Sequence, residues 1–302
     1  MHSTNDSHPT STCIIYEKKT AIGFILIPFA IAGVLIRIAL QRLEAYDGAP
    51  VFPLVYAQWV GCFIMGIVTT QKTNIMIIYH PLQLGLSTGL CGSITTFSSW
   101  QLSIFSSFAN IENYDHTRGK NILSALSQLL VTLAMSINGF QFGGHIGQCQ
   151  QIPKLDIIPC GFSINKLIWK DYTVIFFGLL SWIAVIIAAI FAPLEYRELT
   201  LATVFSPVGA LLRWHLSFFN GKFPGFPIGT FIANIFGTLV LAILSLFRYN
   251  MLTSPFSCIS EITNLNLRQK YLYGSISVIL GQCIMFVVLG SFVWTHGVNI
   301  VC

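Results

Sequence analysis

Long apolar stretches dominate the chain, broken by short polar loops, and their lengths are those of segments that cross a bilayer. Stretches of sufficient length to span about 30 Å of hydrocarbon run at 21–43, 51–70, 122–142, 172–192, 199–219, 226–248 and 271–295. An eighth, 80–108, is equally apolar but carries a Gly/Ser/Thr-rich interruption at 89–100. The pattern predicts an all-α integral membrane protein with about eight spans. The polar tail 1–20, with Lys18 and Lys19 just before the first span, lacks the apolar core and cleavage site of a signal peptide. The first span is therefore expected to stay and to act as its own insertion signal.

The spans repeat. Gly33, Leu35, Arg37 and Leu40 recur as Gly209, Leu211, Arg213 and Leu216, each displaced by 176 residues, and at the same offset Gln58 meets Asn234 and Gly61 meets Gly237. Phe52-Pro53 and Phe226-Pro227 open the two spans that carry these last pairs. Further on, Ser124, Gly139 and His145 match Ser275, Gly290 and His296 at an offset of 151, so about 25 residues are absent from the second half. The absent piece corresponds to the broken span 80–108. In its place stands 251–266, with Thr253, Ser254, Pro255 and Glu261, too short and too polar to cross, and its Phe256-Ser257 looks like a remnant of Phe97-Ser98.

The segment 172–192 has no counterpart in either half, and a single helix between two four-helix units turns the second upside down. The expected organisation is a tail 1–20, a first repeat 21–148, a polar loop 149–171, a linker helix 172–192 and an inverted, incomplete second repeat 198–302. Nine spans would be present were the missing helix restored. Inverted repeats place an ion or substrate path at their interface, near the bilayer midplane. Lys and Arg divide evenly between the two sides with eight spans, and favour a cytoplasmic N-terminus with nine.

Composition narrows the class further. Only 9% of residues are charged and 54% are apolar, more apolar surface than a soluble domain of 302 residues can bury. The net charge of +5 is spread over loops, which argues against nucleic-acid binding. The eight cysteines form no C-x-x-C pair, and Cys62, Cys91, Cys149 and Cys283 read as small packing residues. The seven histidines show no metalloenzyme spacing, and His80, His145, His215 and His296 share no common interval, so an enzyme is not expected.

Three features carry chemistry. Arg37 and Arg213 lie inside apolar spans, where a cation must face a partner or water. They could line a vestibule that attracts anions, or bond helix-end carbonyls as structural residues. Asn234 and Gln58 are amides near mid-span, able to donate to an anion or to join helices. The run Gly89-Leu90-Cys91-Gly92-Ser93-Ile94-Thr95-Thr96-Phe97-Ser98-Ser99-Trp100 predicts a helix break whose freed carbonyls are natural ligands for a cation such as Na⁺, or else a packing kink.

That run, with Gly-x-Leu-x-Arg and the Phe-Pro-x-Gly-Thr-x-x-x-Asn-x-x-Gly of 226–237, resembles the Fluc (CrcB) fluoride channel family, and the fused double repeat resembles its fungal members. The likeness covers nearly all of 21–297. It implies a fluoride-selective channel of the plasma membrane that exports fluoride passively and confers resistance, acting as a single chain whose repeats form a pseudo-dimer. By this resemblance Asn234 would donate to fluoride, and Gln58 would occupy the equivalent place in the first repeat. Phe97 would offer its ring edge, with Thr96, Ser98 and Trp100 beside it, and Tyr273 and Ser277 would form a polar track. The carbonyls of Gly92 and Thr95 would bind a central Na⁺. Gln58 departs from the expected Asn, Trp100 stands where many relatives have Phe, and the second broken helix is largely lost. The alternative is therefore a non-conducting relative that acts only as a membrane partner.

Overall fold

The structure, a computed structural model, describes residues 19–111, 117–149, 169–222, 226–250 and 278–285. Helix α1 (Lys19–Glu44) leads into α2 (Leu54–Thr70), from which the short α3 (Lys72–Ile78) bends away by 74°. The interrupted span follows: α4 (His80–Leu84), a π-helical segment Gly85–Cys91, α5 (Gly92–Ile94) and α6 (Phe97–Ala109). Then come α7 (Arg118–Cys149), α8 (Trp169–Phe191), α9 (Arg197–Ser217) and α10 (Ile228–Asn250), and residues 278–285 are helical as well. Among the described residues there is no strand.

Four of these helices are long and apolar enough to cross a membrane unaided: α1, α7, α8 and the 228–245 part of α10. The bent pair α2 and α3 makes up to five, fewer than the eight spans expected. The difference has physical causes. Helix α9 is long enough but dilutes its apolar run with Arg197, Glu198, Pro207, Arg213 and His215, and the span 80–108 is cut into short pieces. Most of the expected last span, with Tyr273 and Ser277, lies outside the described residues, as do 251–266 and all but the last two residues of the tail. The linker helix α8 begins at Trp169, inside what was expected to be loop.

Glycine sets how closely the helices approach. On α7, Gly139, Gly143 and Gly147 recur every four residues and form a smooth stripe against α2. A Cβ at Gly139 would stand 2.6 Å from the carbonyl oxygen of Trp59, and at Gly143 it would collide with that of Phe63. Above this seam Trp59 and Phe63 stack at 5.2 Å, and the Trp59 indole donates to Asn138 Oδ1 at 3.1 Å. Helix α8 docks through Gly178 onto the backbone of Phe24, and its Trp182 indole donates to the Val204 carbonyl at 3.1 Å. At its start the buried Asp171 accepts from Tyr79 Oη at 2.8 Å, in the turn between α3 and α4. Burial, then the hydrogen bond to Asp171 and its charge, hold the Tyr79 hydroxyl above its usual range, so it remains a donor.

Helices α1 and α9 cross antiparallel. Ile22 and Leu26, early in α1, pack on Leu211 and Trp214, late in α9, whereas Val34 and Arg37 share a cavity with Ala202, Phe205 and Ser206 from the earlier turns of α9. The two helices that carry the matched Gly-x-Leu-x-Arg motifs thus run in opposite directions.

The α2–α7 seam yields a prediction. Gly143→Val, which drives a Cβ into backbone that cannot retreat, should destabilise the protein by at least about 1–3 kcal/mol. Thermal unfolding in detergent should register the loss. Gly144→Ala, where the nearest atom is Thr70 Oγ1 at 3.6 Å, should change little.

Candidate functional site

The interruption lies between Gly92 and Phe97. Thr95 and Thr96 take extended backbone angles, φ −78° and ψ 147°, then φ −145° and ψ 116°. The chain leaves the helix there and restarts at α6 with Thr96 as its N-cap. Thr96 Oγ1 accepts from the Ser99 amide at 3.3 Å and donates to Ser99 Oγ at 3.0 Å, so one hydroxyl serves an otherwise orphaned helix-start donor. Thr95 Oγ1 and its own amide both donate to the Cys91 carbonyl, at 2.9 and 3.0 Å.

The backbone groups of Thr96 released by the break are taken by Gln58. The Thr96 amide donates to Gln58 Oε1 at 3.0 Å, and Gln58 Nε2 donates to the Thr96 carbonyl at 3.2 Å. A side-chain amide reproduces here the two-bond pairing of one strand residue with another. Gln58, only 2% exposed, therefore acts as a clamp on backbone, with one Nε2 hydrogen left for any other acceptor.

Glycines let α1 and α2 press on the break. At Gly33 a Cβ would lie 2.6 Å from the Leu90 carbonyl oxygen and 2.7 Å from Ser93 Cβ, and at Gly61 it would lie 2.5 Å from Thr95 Cγ2. The repeat partner of Gly61, Gly237, has nothing within 4 Å of its Cβ position among the described residues.

Phe97 and Trp100 face each other edge-on at 6.0 Å within a cluster of Leu54, Ile104 and Ala125, and the Trp100 indole donates to the Gln128 carbonyl at 3.3 Å. Ser98 is buried at the start of α6. Asn234 is 2% exposed on α10, a helix that packs on both α6 and α9. Helix 278–285 lies along α6: a Cβ at Gly281 would stand 3.1 Å from Phe97 Cε1 and from Gln101 Cγ. This contact exposes a residue that sequence reasoning missed. Gln101 is fully buried, accepts from Gln282 Nε2 at 2.6 Å, and holds its own Nε2 without a hydrogen-bond partner among the described residues. Its spacing of four from Phe97, one turn along the same helix face, was the available signal.

Arg37 and Arg213 line one cavity between α1, the interrupted span and α9, with Thr88, Gly92, Ser93 and Ser206 among the other walls. Arg213 Nη1 rests directly against Gly92, its Cζ 3.3 Å from where a Cβ would be. This bears on the Na⁺ that the resemblance implies. The Thr96 amide, which in a continuous helix would bond the Gly92 carbonyl, goes to Gln58, so carbonyl oxygen is released at the break. A guanidinium already occupies the Gly92 face, however, and a second cation beside it would be repelled in a medium of low dielectric. Gly92 therefore does not fit a bare Na⁺ on the side where Arg213 lies, and Thr95 is not among the residues that line that cavity.

An all-α membrane protein with an interrupted span clamped from a neighbouring helix is the class these features define. Residues 24–140 match the family model described as CrcB-like protein, Camphor Resistance (CrcB). Over most of its length the chain is similar to curated fungal proteins. It is 26% identical to Fluoride export protein 1 of Neurospora crassa over 90% of this chain and 66% of that one. It is 27% identical to the Candida albicans protein of the same name over 94% and 86%, and 29% identical to that of Schizosaccharomyces pombe over 88% and 94%. The Fluoride-specific ion channel FluC 1 of Staphylococcus aureus aligns over 89% of its own length with 38% of this chain, at 29% identity. No solved structure matches the chain significantly. The resemblance read from the motifs at 89–100 and 226–237 thus holds. Against the S. pombe protein, 88% of the 302 residues here spread over 302 aligned positions, so about 36 positions hold residues of the relative opposite none in this chain.

Gln58→Leu, similar in volume but unable to pair, should leave the Thr96 amide and carbonyl unsatisfied at a cost of about 1–3 kcal/mol each. A lowered melting temperature of the purified protein should report it.

Proposed function

We propose that this chain is a fluoride channel of the plasma membrane, built from two inverted repeats joined by α8, through which fluoride leaves the cell passively and which thereby confers fluoride resistance. The observation that carries this reading is the interrupted span, in which Thr95 and Thr96 leave the helix and Gln58 holds the Thr96 backbone inside the bundle. Irregular backbone of this kind is tolerated at membrane depth where it lines a path or is buried in protein. The likeness to proteins named for fluoride export, and the antiparallel crossing of α1 and α9, support the same reading. The share of the chain that aligns with a whole bacterial FluC protein suits one of two repeats.

Fluoride is small and tightly hydrated, so a path for it must replace water with donors at each step. Asn234 would supply amide hydrogens from α10, Phe97 a positive ring edge, and Ser98, Tyr273 and Ser277 hydroxyls. Gln58 has both amide ends engaged by Thr96, so the first-repeat path would be a scaffold and conduction would follow Asn234. The protein would then be a channel and not an enzyme, with membrane voltage and the fluoride gradient as its driving forces. None of these steps uses a Na⁺.

One observation favours a second reading, that of a non-conducting membrane partner. The 36 or so unmatched positions are in keeping with a lost helix. Growth on graded fluoride of a hypersensitive yeast lacking its own exporters separates the two. Rescue by this chain, abolished in Asn234→Ala at equal surface expression, is the expected result. Failure of the well-expressed chain to rescue would sink the channel reading and leave the partner.

A further inference from the structure

We propose that the Arg213 guanidinium is the cation of the interrupted span: it stands at the carbonyl end of α5 in place of a metal ion, and the break is held together without Na⁺. Arg213 is 5% exposed and reaches across from α9, which packs against both the π-helical segment and α5. A Cβ built at Gly92 would collide with its Nη1 and stand 3.3 Å from its Cζ, and the Ser87 carbonyl oxygen lies 3.8 Å from the same point. Glycine at 92 is what leaves room for the guanidinium there.

The carbonyl end of a helix is where a cation belongs. Helix α4, the π-helical segment and α5 follow one another without a gap over 80–94, so their peptide dipoles sum to a partial negative charge at the last turn. The carbonyls of Gly92, Ser93 and Ile94 have no following turn to bond, because α5 ends at Ile94 and the Thr96 amide goes to Gln58. A basic side chain and a Na⁺ both answer such an end. They differ in one respect: a bound ion stabilises according to its concentration, whereas a tethered charge is present whatever the salt.

The surroundings favour the tethered charge. Arg37 lines the same cavity as Arg213 and no acidic side chain lines it, so an entering cation would meet fixed positive charge and no carboxylate. The cavity volume is about 20 Å³, room for one water and none for a hydration shell. Residue 213, from the second Gly-x-Leu-x-Arg motif, thereby serves a break at 92–97 that lies far away in sequence. The inference reverses the Na⁺ that the resemblance implies, and it does not require that the chain conduct.

The full chain, purified in detergent and exchanged free of Na⁺, would be melted in N-methylglucamine chloride and in sodium chloride at equal ionic strength. The unmodified protein is expected to melt at the same temperature in both. Arg213→Ala should melt several degrees lower in N-methylglucamine and recover part of the loss in Na⁺, a response that a merely space-filling role for Arg213 would not create. Arg213→Lys, which keeps the charge, should stay nearer the unmodified protein and ignore Na⁺. A rise of several degrees with Na⁺ in the unmodified protein overturns the proposal. So does an Arg213→Ala protein whose melting Na⁺ does not raise, or an Arg213→Lys protein that falls as far as Arg213→Ala. If Arg213→Ala does not fold, the unmodified protein and Arg213→Lys decide. A chain that fails to rescue yeast yet melts in this pattern would remove the channel reading and leave this one standing.

Discussion

A helix interrupted inside a bilayer leaves amides and carbonyls that no solvent can satisfy, and each unpaired group costs several kcal/mol in hydrocarbon. Much else in this protein answers that constraint. Gln58 takes both backbone groups of Thr96, the Thr96 hydroxyl caps α6, and Thr95 returns two bonds to Cys91. The π-helical segment before the break belongs to the same adjustment, since wider turns are a common way for a helix to change register near a functional site. Gly33 and Gly61 matter because the clamp works only if α1 and α2 come close enough to hold the turn.

The same constraint explains what could be read from the sequence. Two glycines, a run of small and hydroxylated residues and a Thr-Thr pair in an apolar stretch can hardly be anything but a break, and the break is where it was expected. The offset of 176 puts matched motifs on α1 and α9, and those two helices cross antiparallel in the structure. Side-chain allegiance was not legible. Gln58 reads as a longer Asn, able to donate to an ion or to join helices, because a sequence does not say whether an amide faces a path or a neighbour's backbone. The extra methylene gives it the reach to pair with Thr96.

Arg37 and Arg213 illustrate the other limit. From their spans alone each had to find water or a partner, and both alternatives stayed open because the cavity that both line is a property of the assembled bundle. Gln101 was passed over for a similar reason. Its burial depends on residues 278–285, far away in sequence, and Gly281 is what admits the contact with Phe97 and Gln101. Span counting failed more simply: α9 carries charge, a proline and a histidine that an apolar window discounts, although the helix is long enough and packs in the centre of the described bundle.

The asymmetry between the halves is best understood through the glycines that the repeats share. In the first repeat Gly33 and Gly61 are needed because a broken helix presses on them; any larger residue would meet the Leu90 carbonyl or the Thr95 side chain. In the second, Gly209 and Gly237 keep the same spacing, and Gly209 lines the arginine cavity. Glycine inside a helix costs about 1 kcal/mol relative to alanine, so two such positions make physical sense where something must approach closely.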